Sequence, residues 1–566
     1  MLSQETTWHP DGRTKVLDQL KNGTKQWDMI VVGGGITGAG IYREAARLGL
    51  NVLLVEQQDF AWGTSSRSSK MVHGGLRYLG SGQLSLANDS VKERQNLMKE
   101  LPGLVNPLPF VMGHYNGVFP GPWIFNKLLA VYDFMAGQRY RKYVNKGIRD
   151  FLVPGMNTHN LKGATQFSDA VTDDSRLVMR VLHDGNADGG TAINYVKAVD
   201  TLKSSGFEKK GGAAKKGGAE KVSGLKIEDQ VSGEQFEMTA SVVINATGTW
   251  TDELRRTLGQ KNVIRPLRGS HLIVPFWRLP SAFSVSFFHA KDKRPVFVFP
   301  WEGVTVIGTT DLDHQQNSSE ESSITQVEVD YLLDAANAQF PEAKLLTNDV
   351  RASWSGVRPV VSKNQDEATD ASKPNKPSDE KREHAVWDEQ GLISVAGGKL
   401  TTYRLIALDV LQKAAPYVPA LSSALEQGAR GDSRISHFKP ALLTSSFIQL
   451  SSELKKRLLG RYGHHTETLL SHAKLLENDF KKIGSTDTLW AELSWSCQHE
   501  SIQHLDDLLL RRTRIGLLLE NGAEAEFHDI KGICQKYLAW DDVKWVAELK
   551  RYQGIIKKYY SLPKLE

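Results

Sequence analysis

A glycine-rich turn between a buried strand and a helix constrains the fold of this chain more than any other feature. Asp28–Val32 (DMIVV) is a short apolar run typical of a buried strand, and Gly33, Gly35 and Gly38 follow at the G-x-G-x-x-G spacing. The first glycine permits a tight turn, the second lets the backbone approach a pyrophosphate, and the third lets helix and strand pack closely. A second strand, Asn51–Val55, completes a βαβ unit of the dinucleotide-binding type.

A carboxylate follows the second strand at the position that recognises a ribose. Glu56 comes directly after that strand, where its oxygens can accept hydrogen bonds from both ribose hydroxyls of a dinucleotide. A negative charge at this point would repel a 2′-phosphate, which disfavours NADP. The unit alone leaves FAD and NAD open, and a strand–helix turn without a ligand is the structural alternative.

Length and composition limit the remaining choices. The chain has 566 residues, enough for two or three domains, with 40% hydrophobic and 24% charged residues. Its 70 basic and 65 acidic residues nearly cancel to a net charge of +5, so no nucleic-acid binding is predicted. Two cysteines and scattered histidines predict neither a disulfide framework nor a metal site. We expect no signal or transit peptide and no bilayer-crossing run of about 20 apolar residues, hence a cytoplasmic location.

Three later segments favour a flavin. Gly63–Leu79 (GTSSRSSKMVHGGLRYL) is crowded with hydroxyls, glycines and basic side chains, which can meet a second phosphate or a flavin ring. Val242–Gly248 is a strand that ends in a small-residue turn, and Ala396–Arg404 places two glycines before a helical pattern. A helix N-terminus aimed at the flavin pyrimidine edge would stabilise the negative charge of the reduced ring. The predicted cofactor contacts in these segments are Thr64, Ser65, Ser66, Ser69, Ala246, Thr247, Gly248, Gly397, Gly398, Leu400 and Thr401.

These segments also carry a resemblance to a known family. The motifs TSSRSSK, HGGLRYL, VYDF, NATGTW, VIGTTD, SGVRP and GGKLTTYR occur in this order, and DLLLRRTR follows in the C-terminal part. The chain thereby resembles the FAD-dependent glycerol-3-phosphate dehydrogenases, within the D-amino-acid-oxidase-like flavoproteins. The resemblance implies an α/β fold with an FAD-binding Rossmann-like domain of the glutathione-reductase type, an antiparallel-sheet substrate domain and an all-helical C-terminal domain.

Composition and the resemblance together predict the domain limits. The predicted FAD-binding domain is discontinuous and comprises 25–110, 170–260 and 350–412. The substrate domain lies between its parts, at 111–169 and 261–349, and the helical domain comprises 425–566. Two stretches interrupt this plan, 205–221 with its Gly, Ala and Lys, and 364–383 with its Lys, Asp, Ser and Pro. Both are predicted to be flexible surface insertions, and the family does not lead us to expect either.

The resemblance also implies a reaction. We expect FAD-dependent oxidation of sn-glycerol 3-phosphate to dihydroxyacetone phosphate, by hydride transfer from C2 to the flavin N5, with electrons passed to a quinone. The alternative is a glycerol-3-phosphate oxidase, which uses oxygen and releases hydrogen peroxide. A dinucleotide-binding module without turnover is disfavoured because candidate substrate residues are present, and an NAD-linked enzyme because the hydroxyl-rich segment would serve no purpose.

Basic side chains in these motifs are the candidates for substrate binding and catalysis. Arg77 and Arg358 offer planar, paired donors suited to the phosphate of the substrate. Tyr78 adds a hydroxyl, and Lys399 is placed to reach the substrate or the flavin edge. An ion pair elsewhere is the alternative for either arginine, and a solvent-facing position is the alternative for the lysine.

Two histidines are candidates for the base that takes the hydroxyl proton. His73 and His271 lie in the motif segments, and histidine exchanges a proton near neutral pH. Asp311, after VIGTT, is placed to orient one of the catalytic groups or to cap a turn. Packing in the core is the structural alternative for each histidine.

An apolar segment predicts contact with a membrane. PGPWIFNKLLAVYDFMAG, residues 120–137, is rich in aromatic residues, and Arg139, Arg141, Lys142 and the lysines of 209–221 could meet anionic lipid. We therefore expect a peripheral protein on the inner face of the cytoplasmic membrane that meets a membrane quinone. Core packing of this segment is the alternative, and the sequence leaves open whether the chain forms a homodimer.

Overall fold

The computed structural model of the chain describes most of its residues. It covers 8–23, 26–80, 82–144, 146–210, 213–316, 320–362, 383–425, 438, 443, 450–473 and 480–564, with the backbone alone at 77, 146, 205–210 and 213–219.

The strands of the described residues, in chain order, are β1 (Trp27–Val32), β2 (Val52–Val55), β3 (Met71–Val72), β4 (Val105–Tyr115), β5 (Lys142–Val144), β6 (Leu161–Thr172), β7 (Thr191–Ile193), β8 (Val196–Lys210), β9 (Ala213–Asp229), β10 (Gln235–Asn245), β11 (Ile264–Pro275), β12 (Ser284–Phe288), β13 (Pro295–Trp301), β14 (Val304–Gly308), β15 (Leu312–Asp313), β16 (Ala352–Val361), β17 (Ala385–Glu389) and β18 (Leu392–Ala396).

The α-helices are α1 (Gly12–Lys21), α2 (Ile36–Arg47), α3 (Leu76–Gly80), α4 (Leu84–Glu100), α5 (Pro122–Ala136), α6 (Lys146–Leu152), α7 (Asp174–Ala187), α8 (Thr251–Arg256), α9 (Gln326–Gln339), α10 (Tyr403–Ala414), α11 (Pro419–Ala424), α12 (Ser452–Tyr462), α13 (Thr466–Ala473), α14 (Trp490–His499), α15 (Ile515–Leu518), α16 (Phe527–Leu538) and α17 (Asp542–Ile555). Two π-helical turns, Asp507–Arg512 and Ile556–Tyr560, also belong to the C-terminal part.

The first sheet contains the parallel strands that the βαβ unit predicts, with β17 antiparallel at one edge. Its order is β17-β18-β10-β1-β2-β7, and β1 pairs in parallel with β2 and β10. The side chains of β2 are buried on both faces, and α2, which packs on α7 and α10, covers one of those faces. Because these strands run in parallel, the carboxyl ends of β1, β2 and β10 meet at one edge, where the glycine turn follows β1.

The second sheet has ten strands and is mainly antiparallel. Its order is β15-β11-β14-β13-β12-β4-β6-β3, with β16 paired to β11 and β5 paired to β6. The pairing of β11 with β16 runs from Ile264 opposite Val361 to Ile273 opposite Ala352. This long ladder brings the SGVRP segment of β16 beside the first sheet's carboxyl edge, which positions the site described below.

Several predicted limits differ from the observed pairing. Strand β3 and the first residues of β4, which we placed with the FAD-binding domain, pair with β6 in the second sheet. Strand β16, which we placed with the FAD-binding domain, belongs to the second sheet because all of its residues pair with β11. The segment 205–221 was predicted to be a flexible loop, but its described residues, 205–210 and 213–221, continue the β8–β9 pairing, in which Phe207 pairs with Lys216. Antiparallel pairing is made by backbone N–H and C=O groups, which glycine, alanine and lysine supply as other residues do. The other predicted insertion, 364–383, lies almost wholly outside the described residues.

Buried ion pairs join the C-terminal helical part to the rest of the chain. Asp59, in the loop after β2, meets Arg511 at 2.5 Å and Arg512 at 2.7 Å, and Arg514 meets Asp173 at 3.0 Å. Burial opposes ionisation of Asp59, but Arg512 and Arg511 hold its pKa below the ordinary value. Removing one partner of such a pair leaves an uncompensated buried charge, at a cost of roughly 3–5 kcal/mol. These ion pairs therefore hold the helical part against the loop that follows β2.

Among the helices that the structure describes, none combines the length and the apolar character needed to cross a bilayer.

Candidate active site

One large cavity lies between the two sheets. Its volume is about 2150 Å³, and its walls include the ends of β1 and β10, the 63–69 loop, β11 and β16. Small-molecule sites usually measure roughly 300–1,000 Å³, so this cavity has room for a dinucleotide and a second small molecule.

The turn after β1 requires glycine at two positions for steric reasons. Gly33 has φ +110°, and a Cβ there would lie 2.6 Å from the carbonyl oxygen of Ala246. A Cβ on Gly38 would lie 1.9 Å from the carbonyl oxygen of Gly33, so this glycine lets α2 pack against the turn; it lies behind the cavity wall. Gly35 borders the cavity, and the Ile36 N–H next to it donates to Ser65 Oγ at 2.9 Å.

Glu56 is held in a fixed orientation at the cavity wall. Its Oε2 accepts from the Gly34 N–H at 2.7 Å, and its Oε1 accepts from the Gln58 N–H at 2.8 Å. Burial raises the pKa of Glu56 to about 7. Each oxygen retains lone pairs for further donors, which suits the two hydroxyls of a ribose.

The hydroxyl-rich loop turns some of its side chains to the cavity and others to the protein. Thr64, Ser65 and Ser69 border the cavity, whereas Ser66 lies behind it. The carbonyl oxygen of Ser66 accepts from Arg514 Nη2 at 2.9 Å, which ties the loop to the C-terminal helical part.

Two small-residue segments complete the predicted cofactor wall. Ala246, Thr247 and Gly248 follow β10 and border the cavity. The turn before α10 follows β18, which pairs in parallel with β10, and in this turn Gly397 and Gly398 have φ of +80° and +79°. From this turn Gly397, Gly398, Lys399, Leu400 and Thr401 border the cavity. Four stretches that are far apart in sequence are thus brought to one cavity.

Arg358 projects from β16 at the cavity wall. Its Nη1 donates to Asp311 Oδ1 at 2.9 Å, so this carboxylate orients the guanidinium. A Cβ on Gly269 of β11 would lie 2.7 Å from Arg358 Nη2, and glycine at this position makes room for the arginine. We did not select Gly269 from the sequence, although a glycine inside an apolar strand is a known sign of close approach.

The other predicted substrate residues lie on α3 and in the turn before α10. Tyr78 and Lys399 both border the cavity, and Lys399 Nζ lies 4.1 Å from the centre of the Tyr78 ring. The ammonium group also donates to Ser90 Oγ at 2.6 Å. Arg77 belongs to α3, but its side chain is outside the described part of the structure, so its role stays a prediction.

Both candidate bases border the cavity in different environments. His271 is buried, its Nε2 lies 2.9 Å from Ser69 Oγ, and its ring stacks on Trp354. Burial, reinforced by the charges of Arg358 and Lys70, lowers the pKa of His271 well below its ordinary value, so its ring is neutral. His73 also borders the cavity, and its carbonyl oxygen accepts from Thr401 Oγ1 at 3.2 Å.

Arg67 is a cavity residue that we did not single out from the sequence. It lies in the TSSRSSK motif and is 5% exposed, yet it borders the cavity. The motif contains this arginine, but its partners are far away in sequence, so the motif alone did not indicate its role.

Comparisons with known proteins agree with this architecture. A sequence model of the FAD dependent oxidoreductase family matches residues 28–404, and one of the C-terminal domain of alpha-glycerophosphate oxidase matches residues 422–544. An aerobic glycerol-3-phosphate dehydrogenase of Staphylococcus haemolyticus is 31% identical over 523 residues, 88% of either chain.

Solved structures share the fold. A glycerol-3-phosphate dehydrogenase from Bacillus halodurans, complexed with FAD, aligns over 98% of both chains with a TM-score of 0.70 and 25% identity. An L-alpha-glycerophosphate oxidase from Mycoplasma pneumoniae with FAD bound covers 70% of this chain and 95% of its own, with a TM-score of 0.50 and 16% identity, which shows the fold alone. The predicted fold class and the FAD cofactor are confirmed. This chain therefore belongs to the FAD-dependent oxidoreductases and, within them, to the glycerol-3-phosphate dehydrogenase family.

Proposed function

We propose that the chain oxidises sn-glycerol 3-phosphate to dihydroxyacetone phosphate and passes the electrons to a membrane quinone. The observation that carries this proposal is the cavity itself, because the residues of the phosphate-binding turn share it with Arg358, Lys399 and Tyr78. FAD, when bound, supplies the acceptor for the hydride from C2. The dehydrogenases to which the chain is similar act, by their names, on the same substrate.

Positive side chains hold the phosphate of the substrate in this proposal. Arg358 offers its planar donors while Asp311 Oδ1 fixes its Nη1, and Lys399 adds a second charge to the same cavity. Arg77 is proposed to join them from α3. A fixed guanidinium loses little conformational entropy on binding, so a dianion is bound in one orientation.

The hydroxyl proton is taken by His73 or His271. The two assignments differ in their expected pH dependence, because His271 has a pKa well below its ordinary value. If His271 is the base, activity will already be fully developed in mildly acid solution, and His271→Gln will abolish this pattern. An unchanged profile in His271→Gln, with loss of activity in His73→Gln, assigns the base to His73.

An apolar surface beside the cavity supports the quinone and the membrane contact. Phe119, Trp123 and Phe134 are 74%, 72% and 86% exposed, whereas Phe125 and Leu129 on the inner face of α5 are buried. Phe119 borders the cavity as well, so the apolar surface continues into the cavity mouth. Exposed aromatic side chains of this kind favour the interfacial region of a bilayer, from which a quinone can reach the cavity.

The oxidase is the second candidate, because the match at residues 422–544 is to a domain of alpha-glycerophosphate oxidase. One experiment separates the two. Anaerobic glycerol 3-phosphate should bleach the flavin absorption of the purified protein, and a soluble quinone should restore it much faster than air-saturated buffer. Rapid return in air with release of hydrogen peroxide would establish the oxidase, and a flavin that glycerol 3-phosphate does not bleach would refute both.

A further inference from the structure

The last helical turn of the chain contacts the flavin-facing loop. Arg67 Nε and Nη2 donate to the hydroxyl oxygen of Tyr560 at 3.1 and 3.0 Å, across 493 positions of sequence. Both side chains are buried, and Arg67 borders the cavity. We propose that Tyr560 is a positioning residue, which holds Arg67 and thereby the 63–69 loop in the conformation that binds FAD.

The surroundings of Arg67 make Tyr560 the acceptor that its side chain needs. Glu321 lies 2.6 Å from Arg67 Nη2 and balances its charge, and the ring of Trp62 lies 5.2 Å from the guanidinium. The Tyr560 hydroxyl oxygen accepts hydrogen bonds from both Nε and Nη2 of Arg67. Without it, a buried Nε–H loses its acceptor, and the guanidinium must move to find another.

Movement of Arg67 is transmitted to the cofactor wall. The backbone of Arg67 is packed against β16, since a Cβ on Gly356 would lie 2.3 Å from its carbonyl oxygen. Thr64, three residues earlier, donates its hydroxyl to the Val357 carbonyl, and Ser65 accepts from the first N–H of α2. A displaced side chain therefore disturbs the loop that faces the phosphate-binding turn.

The C-terminal turn is held by contacts of its own, so the Tyr560 hydroxyl has a fixed position from which to hold Arg67. Ser353 of β16 donates to the Ser561 carbonyl at 3.4 Å, and the exposed pair of Lys558 with Glu320 spans 2.7 Å. Burial raises the pKa of Tyr560 to about 12, so its hydroxyl is un-ionised at physiological pH. The contact with Arg67 should then be insensitive to pH between 6 and 9.

The test is Tyr560→Phe, which removes one oxygen, with Tyr559→Phe as the matched control. The Tyr559 hydroxyl lies 3.4 Å from exposed Glu320 and does not contact Arg67. We expect Tyr560→Phe to weaken binding of FAD to the apoprotein about tenfold, the lower end of the effect of losing a hydrogen bond to a charged group, and Tyr559→Phe to leave it unchanged. Titration with FAD, followed by fluorescence quenching, measures this without turnover.

A double-mutant cycle distinguishes positioning from general stabilisation. Arg67→Met should weaken FAD binding, and adding Tyr560→Phe to it should cause no further loss, because the partner is already gone. Wild-type FAD affinity in Tyr560→Phe would overturn the proposal, as would effects of the two substitutions that simply add. Thermal unfolding of each apoprotein identifies a variant that is merely destabilised, and FAD affinity that falls only in proportion to unfolding would also overturn it.

Discussion

Gly35 and Gly38 belong to one motif, but the structure predicts that substitution affects cofactor binding at Gly35 and stability at Gly38. Gly38→Ala puts a Cβ 1.9 Å from the Gly33 carbonyl oxygen, and a normal contact requires a backbone shift of more than 1 Å between α2 and the turn. Gly35→Ala brings its Cβ to 3.1 Å from Ser65 Oγ, which has to move by only a few tenths of an ångström and can keep its bond from the Ile36 N–H, and the φ of −80° at this position suits any residue. The first substitution should therefore damage the fold and the second the binding of the cofactor.

The magnitudes follow from these contacts. Overpacking usually costs about 1–3 kcal/mol, and a backbone collision places Gly38→Ala at the upper end or beyond. Gly35→Ala should change the stability of the apoprotein by less than about 1 kcal/mol, yet its methyl group narrows the approach of a pyrophosphate to the backbone. A similar cost of about 1–3 kcal/mol there corresponds to FAD affinity about 5- to 150-fold weaker.

Two measurements on the same apoproteins test the distinction. Denaturant unfolding reports stability, and FAD titration reports affinity. Gly532→Ala in α16 is the control, since a Cβ there has nothing within 4 Å and alanine favours a helix. Wild-type FAD affinity in Gly35→Ala, or a Gly38→Ala protein of normal stability, would refute the steric reasoning.

Three further predictions concern the substrate, the pH and the membrane. Arg358→Ala should raise the KM for glycerol 3-phosphate about 10- to 100-fold and leave the flavin bound, because it removes a paired phosphate donor; an unchanged KM in steady-state kinetics would remove Arg358 from the proposed clamp. The pKa of Glu56 is raised to about 7 by burial, so the apoprotein holds that proton below neutrality. Ribose donors favour the carboxylate; FAD affinity should therefore fall with decreasing pH below 7, up to about tenfold per unit, and Glu56→Gln should show no such slope. Phe119→Ser with Phe134→Ser should reduce binding to vesicles that contain anionic lipid, whereas Val543→Ser, at an equally exposed apolar position on α17, should not.

Local sequence predicted the front of the fold well. The βαβ unit was expected as strands 28–32 and 51–55 with a helix between them, and β1, α2 and β2 occupy 27–32, 36–47 and 52–55. This worked because each element depends on a pattern within a few residues: an apolar run, glycines at a tight turn, then a helix. The described residues of the 205–221 segment did not follow the prediction from composition, because strand pairing joins backbone groups of residues that are brought together by the fold.

The candidate site shows the same division. Gly33, Glu56, Ser65 and Thr401 could be selected because their motifs are short and contiguous, and each borders the cavity. The sequence offered no means of distinguishing Ser66, which faces the protein, from its neighbours. Orientation within a compact loop depends on which side of it the rest of the chain packs.

By itself, then, the amino-acid order determined the glycine turn after the first strand, a candidate ribose carboxylate and the family motifs, all of which are encoded within short windows. Only the tertiary structure decided that Asp311 orients Arg358, that Gly269 makes room for it, and that Tyr560 reaches Arg67. These contacts join residues that are 47 to 493 positions apart. Their formation depends on how two sheets and a helical domain pack together, and no local pattern of side chains records that geometry.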